Sequence, residues 1–373
     1  MTRVLLDATP LDTGHARRGI GRYVQGLLEG FRALGPSEIA LELLALPTRK
    51  DHQFQVHPYE RRAVEWASTM AIENRLRLDR VIPRGIDLYH ATSMEGASRR
   101  VPFVATCHDL IPLLLRGPYL PRASLTARWF WHDYITRLRR DARVVIAISD
   151  HVRRCLIDRF AVRSDTIVVV HHGVSPFWSE ADPSHAPSDA ALAAANRPFV
   201  IYVGGYDERK RVGALLDAVA SVEAGHRPRV VLVGTGAGDA ARTLVAESPT
   251  RREVDLVPLD YVNDRELRWL YRRALCLGFT SIEEGWGFPI VEAMAAGTAV
   301  VCAPYGAMFE AAGGAALTAD PMDRSAFSDA IHRLAHDPSL RDDLVLRGLE
   351  RVRPLTWART ADATRHAYEQ ALR

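Results

Sequence analysis

One stretch, residues 281–297, restricts the fold more than any other part of this chain. It reads Ser-Ile-Glu-Glu-Gly-Trp-Gly-Phe-Pro-Ile-Val-Glu-Ala-Met-Ala-Ala-Gly and follows an apolar run at 274–279 that is typical of a buried strand end. Pro289 suits the first turn of a helix, where its missing N–H has no intrahelical partner, and Gly297 suits the position just past the last turn. The stretch therefore predicts a strand, a glycine loop and a short helix.

The predicted loop, residues 285–288, is suited to an anion. Gly285 and Gly287 allow neighbouring backbone N–H groups to point outward together. The dipole of a helix that begins near Phe288 and Pro289 adds positive potential at the same place. The loop therefore predicts a site for a phosphate or a similar group.

Two carboxylates bracket this loop. Glu284 comes directly before it, and Glu292 is expected in the first helical turn. Ionised carboxylates are strong acceptors for hydroxyl groups and poor partners for phosphate, so the pattern fits a phosphate flanked by hydroxyls, as in a sugar nucleotide. The alternative is structural: Glu292 complements the helix dipole and Glu284 caps the turn.

The composition describes an ordinary globular protein of two domains. A chain of 373 residues is too long for one compact core, and 47% hydrophobic with 25% charged residues excludes a disordered chain. A formal charge of +3 does not indicate nucleic acid. The cysteines are scattered singly without metal-ligand spacing, so no metal site is predicted and reduced thiols are expected. They are Cys107, Cys155, Cys276 and Cys302.

No apolar run approaches the roughly 20 residues that a membrane-spanning helix needs, and the N-terminal residues lack signal-peptide architecture. We therefore expect a cytoplasmic protein whose membrane contact, if any, is peripheral at the inner face of the membrane. The basic aromatic segment 128–140 fits such a contact, because aromatic rings beside arginines suit a lipid headgroup surface. It equally fits a helix that packs an aromatic stripe on a sheet, which we favour.

Short apolar runs alternate with helical patterns along the chain, which predicts an α/β protein with doubly wound parallel sheets. Residues 179–198 are rich in Ala, Pro, Ser and Asp without apolar periodicity and are expected to connect a first domain, 1–178, to a second, 199–356. The apolar runs lie at 4–6, 41–46, 86–90, 101–107, 143–149, 167–170, 199–203, 229–233, 255–262 and 298–303.

Two places in the first half have candidate functional residues. Gly19 and Gly21 open an amphipathic helix after the first strand, although such glycines also serve plain turn geometry. His108 and Asp109 follow the strand at 101–107, and in open α/β sheets ligands lie beyond the carboxyl ends of strands. A histidine there fits either a ligand contact or simple packing.

The second half begins with a strand, a double glycine and three cations. Gly204 and Gly205 let the backbone bend close to a ligand, and Arg209, Lys210 and Arg211 follow. Three cations in a row fit a solvated surface; at a strand's carboxyl end they also fit the stabilisation of a departing diphosphate.

A rival motif follows the strand at 229–233. Gly234-Thr-Gly236-Ala-Gly238 hints at dinucleotide binding and makes an NAD oxidoreductase the runner-up from motifs alone. The spacing is not Gly-x-Gly-x-x-Gly, however, and the acidic residue expected about 20 positions on is displaced.

Together, Glu284-x7-Glu292, the intervening Gly-Trp-Gly-Phe-Pro and the following Glu-Ala-Met-Ala-Ala-Gly-Thr-Ala-Val-Val resemble the signature of the retaining GT-B glycosyltransferases of family 4. The resemblance implies two Rossmann-like domains facing across a cleft, with a terminal helix, 357–373, packing back on the first domain. It implies that Glu292 binds the nucleotide ribose, that Glu284 contacts the transferred sugar, and that the amides around Gly287 and Phe288 hold the sugar and the diphosphate.

The resemblance also extends to the other candidates. Lys210 matches the lysine of the family's Gly-Arg-x-x-x-x-Lys segment, but Gly205 stands where many members have the arginine, so Arg209 is read as its substitute. His108 matches the family's His-Asp segment and is expected to touch the donor sugar. Asp109 is expected to orient that ring or to hold an acceptor hydroxyl.

Four further residues are expected to bind the donor by the same resemblance. Gly19 and Gly21 approach the phosphates from the N-terminal side, Gly234 lies near the nucleotide, and Val262 belongs to the segment that cups the base.

The implied reaction is transfer of a hexose, with retention, from a nucleotide diphosphate sugar to a hydroxyl of a saccharide, lipid-linked or small-molecule acceptor, without a cofactor. Segments 108–112 and 208–210 are similar to those of bacterial polysaccharide mannosyl- and rhamnosyltransferases, which favours GDP-mannose. A sugar-nucleotide epimerase and a non-catalytic sugar-nucleotide-binding protein are the alternatives.

Overall fold

The computed structural model describes residues 1–12, 19–35, 38–45, 49–51, 53–59, 78–93, 98–115, 125–182 and 184–373. The chain divides into two compact units, one formed by Met1–Gly173 with Leu355–Arg373 and the other by Val174–Pro354. Each unit is built on one parallel sheet.

The described part of the first unit contains seven parallel strands in the order β3-β2-β1-β4-β5-β6-β7. The order reverses between β1 and β4, and β4 and β5 lie side by side next to that point. The central residues of β4 and β5 are buried, which explains why these two segments are mostly apolar in the sequence. The strands are β1 (Thr2–Asp7), β2 (Ile39–Ala45), β3 (Gln55–Pro58), β4 (Leu88–Ala91), β5 (Phe103–Cys107), β6 (Val144–Ala147) and β7 (Ile167–Val169).

Among the described residues, the helices of this unit before residue 355 are α1 (Gly19–Leu34), α2 (Ile111–Leu114), α3 (Leu125–Arg140) and α4 (Asp150–Asp158). Helix α1 begins at Gly19, so the predicted glycine-opened helix is confirmed. Ser149 caps α4 by accepting a hydrogen bond from the backbone N–H of Val152. In α3, Trp131 and Tyr134 are buried while Trp129 is 44% exposed, so the aromatic stripe packs inward.

The second unit contains six parallel strands in the order β10-β9-β8-β11-β12-β13, which reverses between β8 and β11. Its strands are β8 (Phe199–Val203), β9 (Arg229–Val233), β10 (Leu256–Leu259), β11 (Cys276–Phe279), β12 (Val300–Cys302) and β13 (Leu317–Thr318). Its helices are α5 (Asp189–Ala194), α6 (Val212–Ala220), α7 (Ala237–Ala246), α8 (Asp264–Tyr271), α9 (Phe288–Ala295), α10 (Gly306–Ala312), α11 (Arg324–His336) and α12 (Pro338–Val352).

The interdomain connection expected at 179–198 requires a correction, because this segment belongs to the second unit. Asp182 forms an ion pair with Arg268 at 2.9 Å. Ser188 caps α5, and its backbone N–H donates to Glu266 at 3.0 Å. These polar contacts with α8 hold a segment that the absence of apolar periodicity had suggested was a linker.

The last helix, α13 (Trp357–Leu372), lies in the first unit and packs against α1. Glycines make this approach possible. A Cβ built on Gly26 would lie 2.0 Å from the Trp357 ring, and one on Gly30 would lie 2.1 Å from the Trp357 carbonyl oxygen. The N-terminal end of α13 therefore packs directly on the backbone of α1, which leaves no room for a side chain at Gly26 or Gly30.

No described helix is both long and apolar enough to cross a membrane.

Candidate functional site

The two reversal points in strand order are the places where parallel α/β sheets bind ligands, beyond the carboxyl ends of the strands. In the second sheet these ends lead from β8 into residues 204–211 and from β11 into residues 280–287. The predicted cations and the predicted carboxylate Glu284 lie on these two neighbouring segments. The strand order thus brings together residues that are about seventy positions apart in the chain.

Glu284 forms ion pairs with both cations. Arg209 Nη1 lies 2.8 Å from Glu284 Oε1, and the Lys210 ammonium donates to the same oxygen. Arg209 Nε also pairs with Asp207 at 3.0 Å. The three central side chains, which we call the cation–carboxylate cluster (Arg209, Lys210 and Glu284), are only 11–14% exposed.

Backbone contacts fix the two segments to each other. Ile282 N–H donates to the Arg209 carbonyl at 2.9 Å, and the Thr280 hydroxyl donates to the Lys210 carbonyl at 2.8 Å. Arg209 also donates to the Glu283 carbonyl at 2.8 Å. Because these bonds hold the main chain on both sides, the cluster is preorganised rather than assembled by mobile side chains.

Opposing effects act on the Glu284 carboxyl. Burial acts to raise its pKa, but the positive charges of Lys210 and Arg209 outweigh burial, so the pKa lies below its ordinary value. Glu284 is therefore ionised at neutral pH. With one oxygen accepting from two cations, it is poorly suited to act as a nucleophile.

The loop beside the cluster has the predicted conformation. Gly287 is the N-cap residue of α9 with φ of 119°, and Pro289 lies in the first turn. Gly285 and Gly287 are buried, and Phe288 and Pro289 are half-buried. Gly297 follows the last turn with φ of 81°. A helix N-terminus thus lies directly after Glu284, as the anion-site interpretation requires.

Glu292 lies in the second turn of α9, where the sequence predicted the first. Since α9 begins at Phe288, its first turn contains no acidic residue, and Glu292 falls in the second turn, where it is 3% exposed. The helix dipole acts mainly within the first turn, so this position weakens the view that Glu292 only complements the dipole.

Close backbone approach explains the glycines at the ends of β8 and β9. A Cβ built on Gly234 would lie 2.1 Å from the Gly204 carbonyl oxygen, and both residues have φ near 150°. Gly205 is exposed, and its carbonyl accepts a hydrogen bond from the Tyr202 hydroxyl. Val262 is half-buried just beyond β10.

The rival dinucleotide site is already filled by the protein. Asp260 Oδ1 accepts from the backbone N–H groups of Gly236 at 3.0 Å and Ala237 at 2.9 Å, at the N-terminus of α7. A pyrophosphate bound in the dinucleotide manner would need these amides. The position of the Asp260 carboxylate therefore disfavours the hypothesis that this loop binds NAD.

The first unit, taken by itself, has a buried histidine at the carboxyl end of β5. His108 is 6% exposed, and its Nε2 lies 2.8 Å from the Thr92 carbonyl oxygen. Because a carbonyl only accepts, Nε2 has the proton. The Tyr23 ring contacts His108 edge-on at 4.9 Å, and the His172 ring lies 5.7 Å away.

The remaining first-unit candidates lie on neighbouring elements. Asp109 Oδ1 accepts a hydrogen bond at 3.1 Å from the backbone N–H of Ile111, the first residue of α2. Gly19 is exposed and Gly21 buried in the first turn of α1. Sequence reasoning missed Tyr23 and His172 as neighbours of His108, because Tyr23 fitted the apolar face of α1 and a ring contact leaves no local pattern.

Family models of known proteins match both halves of the chain. The model of the glycosyltransferase family 4 matches residues 17–176, and that of the group 1 glycosyl transferases matches residues 188–351. The O-antigen chain mannosyltransferase B of Escherichia coli is 28% identical over 287 residues, which cover 76% of this chain and 74% of that protein. The serotype-specific mannosyltransferase WbdA of Escherichia coli is 25% identical over 264 residues, covering 69% of this chain and 32% of WbdA.

Among solved structures, the Anabaena protein HepE in complex with UDP and glucose superposes with a TM-score of 0.76 at 16% identity, covering 99% of this chain and 100% of HepE. At that identity the likeness establishes the fold alone. The two family models between them account for most of both units, and the chain therefore belongs to the GT-B glycosyltransferases, with a family 4 domain followed by a group 1 domain.

Proposed function

We propose that this glycosyltransferase moves mannose from GDP-mannose to a hydroxyl group of a saccharide or lipid-linked saccharide, with retention of the anomeric configuration. The observation that supports the donor site most strongly is the cation–carboxylate cluster at the strand reversal of the second sheet, next to the N-terminus of α9.

The donor diphosphate is assigned to Arg209, Lys210 and the amides around Gly287 and Phe288. Negative charge grows on the leaving diphosphate as the glycosidic bond breaks, and preorganised cations and helix dipoles stabilise such charge in a site shielded from water. Both cations are fixed and nearly buried before the donor arrives. Arg209 thereby occupies the role expected of the arginine that Gly205 replaces.

Glu284 is assigned to the transferred sugar and Glu292 to the ribose. When the diphosphate engages Arg209 and Lys210, the Glu284 carboxylate exchanges its cationic partners for sugar hydroxyls. This transfer needs no protein nucleophile, because we expect the leaving phosphate to accept the proton of the acceptor hydroxyl. His108, from the first unit, is expected to contact the donor sugar near the transferring carbon.

The choice of mannose is supported by similarity to two mannosyltransferases of Escherichia coli. HepE was solved with UDP and glucose, so UDP-glucose is the natural comparison donor. We further propose that no cofactor is required, which predicts that transfer continues after dialysis against a chelator.

Product analysis tests this function. The purified protein is incubated with GDP-mannose or UDP-glucose, with and without a mannoside acceptor, and nucleotide release and products are followed by proton NMR. We expect GDP release that depends on acceptor, together with an α-linked product. An altered sugar nucleotide would indicate an epimerase, binding without turnover a non-catalytic protein, and a β-linked product an inverting enzyme.

A further inference from the structure

A chain of buried hydrogen bonds runs through the first unit from the C-terminal helix to the neighbourhood of His108. The Tyr368 hydroxyl on α13 lies 2.7 Å from His90 Nδ1, and His90 Nε2 lies 2.8 Å from the Thr106 hydroxyl. The Thr106 hydroxyl in turn lies 2.9 Å from that of Tyr23. These four residues, which we call the buried polar chain, come from α13, β4, β5 and α1.

All four side chains are inaccessible to water. His90, Tyr368, Tyr23 and Thr106 are each at most 1% exposed. Burial, with a smaller contribution from the charge of His108, lowers the pKa of His90 to about 3, so its ring is neutral and has one donor and one acceptor nitrogen. The proton order can therefore run from Tyr23 to Tyr368 or in reverse, but in either direction each group depends on the next.

The chain ends against His108. The Tyr23 ring, whose hydroxyl is held by Thr106, contacts His108 edge-on at 4.9 Å and His172 at 4.8 Å. His172 in turn lies 5.9 Å from Trp357 at the start of α13. His108 is thus held by the Thr92 carbonyl and by the Tyr23 and His172 rings, and α13 supports that packing from both of its ends.

We propose that the buried polar chain positions His108 for the transfer reaction, so that the C-terminal helix is a functional part of the His108 site. Tyr368, His90, Thr106 and Tyr23 are positioning residues, since they act through the orientation of His108 and not by touching the donor. The inference rests on the proposed contact of His108 with the donor sugar.

Isosteric variants separate this role from simple stability. Thr106→Val and Tyr368→Phe each remove one hydroxyl and keep the shape, whereas Thr106→Ser keeps the hydroxyl. Tyr271→Phe is the matched control, because Tyr271 is a fully buried tyrosine of the second unit. For each variant, kcat, the donor dissociation constant and the melting temperature are measured, alone and in combination with His108→Ala.

We expect Thr106→Val and Tyr368→Phe to lower kcat by roughly five- to tenfold, since a buried hydrogen bond contributes about 1 kcal/mol and 1.4 kcal/mol is a factor of ten in rate. The donor dissociation constant should stay unchanged, Thr106→Ser should restore kcat, and the losses should vanish in the His108→Ala background. Tyr271→Phe should leave kcat and the donor dissociation constant unchanged.

The outcomes distinguish the proposed role of His108 from the proposed role of the buried polar chain. If His108→Ala leaves kcat unchanged, the proposed role of His108 is wrong. Suppose instead that His108→Ala lowers kcat. The positioning role is then overturned, while the proposed function stands, if Thr106→Val and Tyr368→Phe leave kcat unchanged as Tyr271→Phe does. It is also overturned if their losses of kcat are as large in the His108→Ala background as in the wild type. Should one of the two variants fail to fold, the other decides.

Discussion

Lys210 and Glu284, 74 positions apart in the chain, form an ion pair at the strand reversal of the second sheet, and Arg209 shares the same carboxylate oxygen. The groups assigned to the diphosphate and to the sugar therefore neutralise each other before the donor binds. If the donor diphosphate binds as proposed, partners are exchanged within this cluster, since a phosphate and Glu284 would compete for the same two cations.

This competition predicts an unusual result for Glu284→Gln. Removing the negative charge of Glu284 ends its competition with phosphate for Arg209 and Lys210, so GDP without a sugar should bind at least as tightly as to the wild type, while turnover of GDP-mannose falls. Breaking a nearly buried ion pair should also lower the unfolding free energy by about 3 kcal/mol, and saturating GDP should recover part of it. Calorimetric titration and thermal melting measure both effects. Weaker GDP binding to the variant would refute the competition.

The Gly287 backbone predicts the effect of Gly287→Ala. With φ of 119°, and 3.3 Å between a built Cβ and Ile290 Cδ1, an alanine must distort the start of α9. Gly35→Ala is the control, because Gly35 also has positive φ but no atom near a built Cβ. Both variants should be destabilised by about 1–2 kcal/mol from backbone strain, and only Gly287→Ala should lose affinity for GDP in calorimetric titration. Equal GDP affinity in the two variants would contradict the proposal that the loop at Gly287 binds the donor diphosphate.

Glu292 predicts a dependence on ribose hydroxyls. If its carboxylate accepts from the ribose, the wild type should bind GDP roughly ten- to a hundredfold more tightly than 2′,3′-dideoxy-GDP, as expected for hydrogen bonds to a charged group. Glu292→Gln should largely remove this preference, because it should weaken the binding of GDP and leave the binding of 2′,3′-dideoxy-GDP unchanged. Competition binding measures the two ratios, and an unaltered preference in the variant would assign Glu292 a packing role.

The buried histidines predict acid sensitivity of the first unit. The pKa of His90 is lowered from 6.5 to about 3, so between these values the unfolded chain binds a proton that the folded chain excludes. The stabilisation is therefore complete above pH 6.5 and is lost as pH falls toward 3; His90 alone should lower the unfolding free energy by about 2 kcal/mol between pH 7 and pH 5. His172 acts in the same direction, because burial lowers its pKa as well.

Urea unfolding of the wild type and of His90→Asn at pH 7 and pH 5 measures this effect. The variant should be less stable at pH 7 but should lose less between the two pH values. The same loss in both proteins would contradict a neutral buried His90.

Much of the fold follows from local pattern. Apolar runs such as 199–203 and 229–233 were predicted as buried parallel strands because both faces of these sheets are covered. The glycine loop, Pro289 and Gly297 predicted the position of α9 within one residue. Strand order did not follow, since pairing between distant segments leaves no local trace.

The sequence named candidate residues for the site, but it gave no indication of how they contact one another. Nothing in the sequence indicates that Glu284 pairs with Arg209 and Lys210, because that contact exists only once β8 and β11 lie side by side. Arg211 adopts a left-handed conformation with φ of 49°, which no propensity favours for arginine. The buried polar chain joins four elements across the whole length of the chain and was equally beyond sequence pattern.

The central claim is that the cation–carboxylate cluster holds the donor diphosphate, and calorimetric titration of GDP into Lys210→Ala tests it without an acceptor. Arg242→Ala is the control, since Arg242 is a 76% exposed cation of the same unit. A charged hydrogen bond contributes about 1.5–3 kcal/mol, so Lys210→Ala should bind GDP at least about tenfold more weakly than the wild type. Arg242→Ala should bind like the wild type. Equal GDP affinity in Lys210→Ala and the wild type would contradict the account.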